Sequence, residues 1–254
     1  MHCIKMIMTP ATSVDESQEE IREQLGYYFS SLYSNGQIYR NYELVKTGAG
    51  YCAFVTLPER DSLDDRYANV YVRDREQRVH KWFAVGFEYV GENSGYGELC
   101  TCENPSWYYL NGQLSEDSSP VVCGDCRRPR PLYRLPHIPH ENRECYDFYP
   151  LQSWQRSYFS MDRLWFNGIS DRFTYRQMND PNSSLSRQGR ELCGAFEKAS
   201  GKPFYYLLFY YVKSSQKDTP CPICGKPWRR VKKDFFVDKR CKDCRLLARW
   251  YCSD

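Results

Sequence analysis

The chain has 254 residues, 41% of them hydrophobic and 26% charged, a balance that excludes wholesale disorder and leaves room for one large domain or two small ones. Its formal net charge of +3 is too small to imply a polyanion partner for the whole protein. No apolar run reaches membrane-spanning length, the nearest being FYYLLFYYV from Phe204 to Val212, and the opening MHCIKMIMTPATSVDES lacks the apolar core and cleavage site of a signal peptide. The expectation is a soluble, cytoplasmic protein with no membrane partner. Aromatic residues reach 16%, with 22 Tyr, a side chain that suits interfaces as well as cores.

In chain order, Ile4, Met6 and Met8 alternate with other residues and predict a strand. Ser13 and Glu16 have capping-box spacing ahead of a helix whose apolar face carries Ile21, Leu25, Tyr28, Phe29 and Leu32. YELVK and YCAFVTL flank TGAG and predict a hairpin. A second helix is predicted from Ser62, with Leu63, Tyr67, Val70 and Tyr71 on one side, followed by a strand in FAVGFEYVG. The order β-α-β-β-α-β over residues 1–98 predicts a ferredoxin-like layer, and the fold class is α+β.

Residues 99–135 are loop-rich, hold four cysteines and form the first expected zinc-binding module. Residues 136–214 form a helical region with a buried strand. Its helices follow Pro150 and run through Leu185, Leu192, Cys193 and Phe196 to a stop at Gly201, and its strand is Phe204 to Val212. SSQKDTP is a polar linker, and residues 215–254 form the C-terminal module.

Thirteen cysteines in a cytoplasmic chain point to metal rather than a disulfide framework. Cys221-x2-Cys224 and Cys241-x2-Cys244 enclose 16 residues, the spacing of a zinc ribbon. Each turn aims two sulfurs at one ion, Gly225 lets the chain curl beneath them, and a hairpin brings in the second pair. A redox dithiol or plain core cysteines would explain one pair, but two at this spacing favour zinc. Cys100-x-Cys102 and Cys123-x2-Cys126 are separated by 20 residues, with WYYL and PVV as hairpin strands, and predict a second ion. His137, His140 or Cys145 could replace a sulfur there, although the two histidines read more simply as exposed loop residues. Four cysteines close a coordination sphere, so both zincs are expected to be structural. Cys3, Cys52, Cys145, Cys193 and Cys252 read as core residues.

A catalytic set is not found. TPCPIC has the Pro-Cys-x-x-Cys of a zinc deaminase, but none of the four histidines stands in His-x-Glu. His-Glu-x-x-His, Gly-x-Ser-x-Gly and phosphate-binding glycine loops are missing too. The expectation is a protein that is not an enzyme.

From Lys217 to Asp254 there are 11 Lys and Arg against 5 Asp and Glu, a net of +6, which leaves −3 for the rest of the chain. Only this module is basic. Arg229, Arg230, Lys232, Lys233, Lys239, Arg240 and Lys242 could meet phosphates, with Trp228, Phe235 and Phe236 stacking on bases. Trp228, Val231 and Phe236 could equally form the ribbon's own small core, and the charges could be a solvated face.

The stretches SPVVCGDCRRPRPLYRLP, LQSWQRSYFSMDRLWF, SSLSRQGRELCGAFEKASGKPFYYLL and CPICGKPW…CKDCRLL resemble a bacterial family of unknown function described as zinc-ribbon-containing, for which nucleic-acid binding has been suggested. The resemblance runs from about Gly91 onward and includes all eight paired cysteines. It implies zinc, and it also suggests cargo of toxin loci, where a small intracellular protein neutralises a toxin by binding it. Two functions follow: a recognition protein with a protein partner such as a cognate toxin, acting as an immunity protein, or a nucleic-acid-binding protein using the basic ribbon.

Overall fold

The alternation of Ile4, Met6 and Met8 gives a strand in the computed structural model, which describes residues 1–11, 17–39, 42–93, 95, 97–112, 118–138, 147–213, 219–231, 237 and 239–253. The protein is a mixed α+β molecule with two sheets. It divides into two compact units, one of residues 1–99, 117–119 and 129–149, the other of residues 100–116, 120–128 and 150–254.

In the first unit β1 (His2–Pro10) leads into α1 (Gln18–Ser34), the hairpin β2 (Glu43–Thr47) and β3 (Gly50–Leu57), then α2 (Val70–Trp82) and β4 (Phe83–Glu92). The sheet is antiparallel in the order β2-β3-β1-β4. Met6 pairs with Ala53 and Ile4 with Val55, so their side chains share a face. That face packs with Leu25, Phe29 and Leu32 of α1 and Val72 and Val79 of α2 into one apolar core. Ser17 caps α1 by accepting from the Glu20 N–H at 3.2 Å, while the expected box at Ser13 and Glu16 lies outside the described residues.

The second helix differs from expectation. It begins at Val70, not Ser62, because the Asn69 side chain accepts from the Val72 N–H at 2.9 Å and fixes the start there. Before it, Asp64 caps a single 3-10 turn, Asp65–Tyr67. Short polar side chains that bond nearby N–H groups divert the backbone from a continuous helix. Val70 and Tyr71 consequently point to solvent.

Residues of 129–149 are pinned to the same unit through buried polar groups. Asn35 Nδ2 donates to Gln37 Oε1 and to the Tyr67 carbonyl, at 2.8 and 2.7 Å. His137 Nε2 lies 3.2 Å from Asn35 Oδ1, and its ring stacks on Phe148 at 5.0 Å. His137 is therefore not the exposed loop residue expected of it. His140 and Cys145 lie outside the described residues.

The second unit is built on a six-stranded sheet. Its elements are β5 (Tyr108–Leu110), β6 (Val121–Cys123), the helices α3 (Tyr149–Phe166), α4 (Asp171–Asn179) and α5 (Ser184–Ser200), then β7 (Phe204–Lys213), β8 (Arg229–Arg230), β9 (Lys239–Cys241) and β10 (Leu246–Ser253). Strand order is β6-β5-β7-β10-β9-β8, with β7 parallel to both β5 and β10. A strand flanked in this way is buried on both faces, and Phe204 to Phe209 are all buried. α5 ends at Gly201 in the left-handed region, φ 68°, with its N–H bonded to the Glu197 carbonyl. Trp154 of α3 donates from Nε1 to the Leu185 carbonyl at 3.0 Å, and Gly189 of α5 makes room for the Tyr206 ring.

Candidate metal centres

Each predicted cysteine set comes together. The ligand atoms of Cys100, Cys102, Cys123 and Cys126 all lie within 4.8 Å of one another, and so do those of Cys221, Cys224, Cys241 and Cys244. In each set two sulfurs belong to buried residues and two to half-buried ones. Both sets sit in the second unit, and each closes a two-stranded antiparallel pair, β5–β6 in one and β8–β9 in the other. Either could hold a metal ion.

The two centres share a construction. CGDCR (Cys123 to Arg127) and CKDCR (Cys241 to Arg245) are the same Cys-x-Asp-Cys-Arg turn after a strand. In both the arginine adopts a positive φ, 65° at Arg127 and 53° at Arg245, as Gly225 does at 67° after Cys221 and Cys224. The left-handed residue folds the chain back under the sulfurs: the N–H of Arg127 reaches the Cys123 carbonyl at 3.0 Å, and Gly225 N–H reaches that of Cys221 at 2.9 Å. Each aspartate latches across its centre toward the first cysteine pair. Asp125 accepts from the Ser106 N–H at 2.6 Å and from its hydroxyl, and Asp243 accepts from Lys226 Nζ at 2.6 Å. The cysteine spacing did not single out Asp125, Asp243, Arg127 or Arg245, although the pentapeptide is repeated in the sequence.

The arginines explain why glycine does not occupy both left-handed positions. Arg127 places its guanidinium 4.7 Å from the Trp107 ring centre. Arg245 forms a two-pronged pair with Glu197, Nε to Oε2 at 2.9 Å and Nη2 to Oε1 at 2.9 Å, and donates from Nη1 to the Lys242 carbonyl at 2.7 Å. That pairing holds the Glu197 carboxyl below its usual range. Trp107 also packs on the first centre: its carbonyl accepts from the Gly124 N–H at 2.8 Å, and a Cβ at Gly124 would fall inside the indole.

Burial opposes bare thiolates in both sets. Burial pushes the Cys123, Cys126, Cys241 and Cys244 thiols up, whereas the Lys226 backbone N–H brings Cys224 down to about 7. Crowded sulfurs resist ionising together until a dication offsets their charge. A donor set of four sulfurs suits a soft or borderline metal and leaves no ligand position for water or substrate.

The proposed contact residues differ in exposure. Arg229 and Arg230 of β8 are exposed, as is Lys242, while Trp228 and Arg240 are half-buried. Arg240 lies 5.5 Å from the Trp107 ring centre and 5.8 Å from that of Tyr205. Val231 packs on a cluster of Tyr109, Val122, Tyr205, Leu207, Val237 and Leu247. Lys232, Lys233, Phe235 and Phe236 lie outside the described residues. Of the other cysteines, Cys52 and Cys193 are buried and Cys3 is half-buried. Among the described residues no helix is long and apolar enough to cross a membrane.

Residues 4–89, which take in most of β1, all of α1 to α2 and most of β4, match "Domain of unknown function (DUF8589)". Residues 102–209, from the first centre into β7, match "Domain of unknown function (DUF2310)". A Haemophilus influenzae protein named "Uncharacterized protein" is 29% identical over 252 residues, covering 93% of this chain and 94% of its own. A second protein of that name and organism is 30% identical over 171 residues, covering 64% of this chain and 80% of its own. The solved chain titled "Structure of Rv0793 from Mycobacterium tuberculosis" is similar at 13% identity over 37% of this chain and 97% of its own, with a TM-score of 0.30. The chain belongs to one protein family with these Haemophilus influenzae relatives, a family of unknown function.

Proposed function

We propose that each four-cysteine set holds one structural zinc ion and that the protein is a non-enzymatic recognition protein whose partner is another protein. Cys224 Sγ and Cys241 Sγ are 3.7 Å apart. A sulfur tetrahedron with zinc bonds of about 2.3 Å has edges of about 3.8 Å, so this spacing supports zinc. Residues 221–244 then read as a C-terminal zinc ribbon, and the strand order of the first unit supports a ferredoxin-like layer. The buried, unbridged Cys52 and Cys193 suit the cytoplasm.

The observation that carries the protein partner is the apolar turn between α3 and α4. Phe166 is 83% exposed, Ile169 53% and Phe173 55%, within eight residues of chain. Large apolar side chains clustered at the surface mark interaction sites. Nucleic acid is the second reading, supported by the exposed Arg229, Arg230 and Lys242 on the ribbon. The net −3 of the remaining chain weighs against a long polyanion.

Purification of the intact chain from its native host tests the proposal, with metals measured on the same sample. Two zincs per chain and a stoichiometric protein are expected. Nucleic acid lost at high salt, with no such protein, would reject the partner; fewer than two zincs would reject the metal assignment. The immunity form of the reading requires that the captured protein be a toxin whose activity falls when this chain is added.

A further inference from the structure

The β8–β9 ladder sets like charges face to face. Arg229 pairs with Arg240, and Arg230 with Lys239. Directly opposed like charges destabilise a strand pair. Among the described residues, none of Arg229, Arg230 and Arg240 has a carboxylate within salt-bridge distance. Asp243 attracts Arg229 from a distance but is bonded to Lys226 at 2.6 Å.

The two rungs differ, because successive cross-strand pairs face opposite sides of a sheet. Arg240 also pairs with Leu247, so the Arg229–Arg240 rung lies on the side of Leu247 and Tyr205. There the Arg240 guanidinium is held against Trp107 and Tyr205, and the Arg127 guanidinium lies against the same Trp107. Among the described residues, Arg240 Nε is buried without a hydrogen-bond partner. One exposed arginine therefore stands opposite one fixed by stacking, at the end of a sheet whose outer strand pairs with no further described strand. Stacked guanidiniums lose little freedom when they take a carboxylate through two parallel N–H bonds.

We propose that the Arg229–Arg240 rung docks a carboxylate-rich segment of the protein partner. This rests on the reading of the protein as a binder of protein. One rung on each face gives a short footprint, which suits a few carboxylates better than a long phosphate backbone.

Fluorescence anisotropy on the intact, metal-loaded protein tests the site with two probes, a labelled ten-residue Glu/Ala peptide and a labelled ten-nucleotide thymidine strand. The peptide is expected to bind at up to millimolar concentration, more weakly as salt rises. Arg229→Glu should weaken it by about tenfold or more, and Arg230→Glu, on the other face, by less than about threefold. Both positions are exposed, so both variants should fold, and circular dichroism checks this. Tighter binding of the strand, equal loss in both variants, or no peptide binding would overturn the site. A native-host partner captured equally by wild type and Arg229→Glu would also overturn it while leaving the protein-partner reading intact. Recovery of nucleic acid alone would instead overturn that reading.

Discussion

Arg127 and Arg245 occupy a backbone region that costs an L-residue about 1–2 kcal/mol, so each must recover that energy through its side chain. Their recoveries differ. Arg127→Gly relieves the backbone and gives up a contact with the Trp107 ring worth about 0.5–1 kcal/mol. Arg245→Gly also strands the Glu197 carboxylate. That pair is partly exposed, so the net loss should be no more than about 1–2 kcal/mol by urea unfolding. His137 gives a pH signature. Asn35 uses both hydrogens of Nδ2 elsewhere, so its Oδ1 must accept from His137 Nε2, which leaves the proton of the neutral ring on Nε2. Burial holds the His137 pKa below its ordinary 6.5, although nearby Asp147 offsets part of the shift. The unfolded chain therefore binds this proton first as pH falls, and stability is lost below about 6.5. Urea midpoints at pH 7.5 and 5.5 should converge more in His137→Gln than in wild type, a comparison that cancels the acid sensitivity the two proteins share.

Elements with a strong local signal were legible in the sequence. β1 follows from the Ile4, Met6 and Met8 alternation, α5 from its apolar face and Gly201, and β7 from its length and aromatic run. The start of α2 was obscured because Leu63, Tyr67, Val70 and Tyr71 mimic one helical stripe, while Asn69 and Asp64 decide the backbone through side-chain bonds. The cysteine sets were legible because spacing alone constrains them. The residues that brace them were not, because Asp125, Asp243, Arg127 and Arg245 act through partners remote in sequence. One brace of another kind sits on β7, where β5 pairs only as far as Tyr206. Beyond it, the Tyr175 hydroxyl of α4 donates to the Tyr211 carbonyl at 3.1 Å and accepts from its N–H at 3.0 Å. Such a cap closes an open strand edge. Tyr175→Phe should speed hydrogen exchange at the Tyr211 amide and cost about 1 kcal/mol or less, since water can replace the hydroxyl.

At the scale of the molecule, both cysteine sets belong to the second unit, and the first has its own apolar core. Metal removal should therefore act on one unit. After chelation, hydrogen exchange should rise through residues 100–112, 120–128, 204–213, 219–231 and 239–253 while the central strands β1 and β3 stay protected. A uniform rise across the chain would show that the first unit depends on the metal as well.

Metal occupancy of the two four-cysteine sets would also change what the basic C-terminal module means. Four thiolates around one zinc dication carry −2, so the +6 of residues 217–254 becomes +4 once the ion is bound. With both sites filled, eight thiolates and two dications add −4 to a chain of formal charge +3, leaving −1. The loaded protein should focus at a more acidic isoelectric point than its metal-free form. Part of the positive charge that looks like a surface for a polyanion is, on this accounting, the counter-charge of the protein's own sulfur.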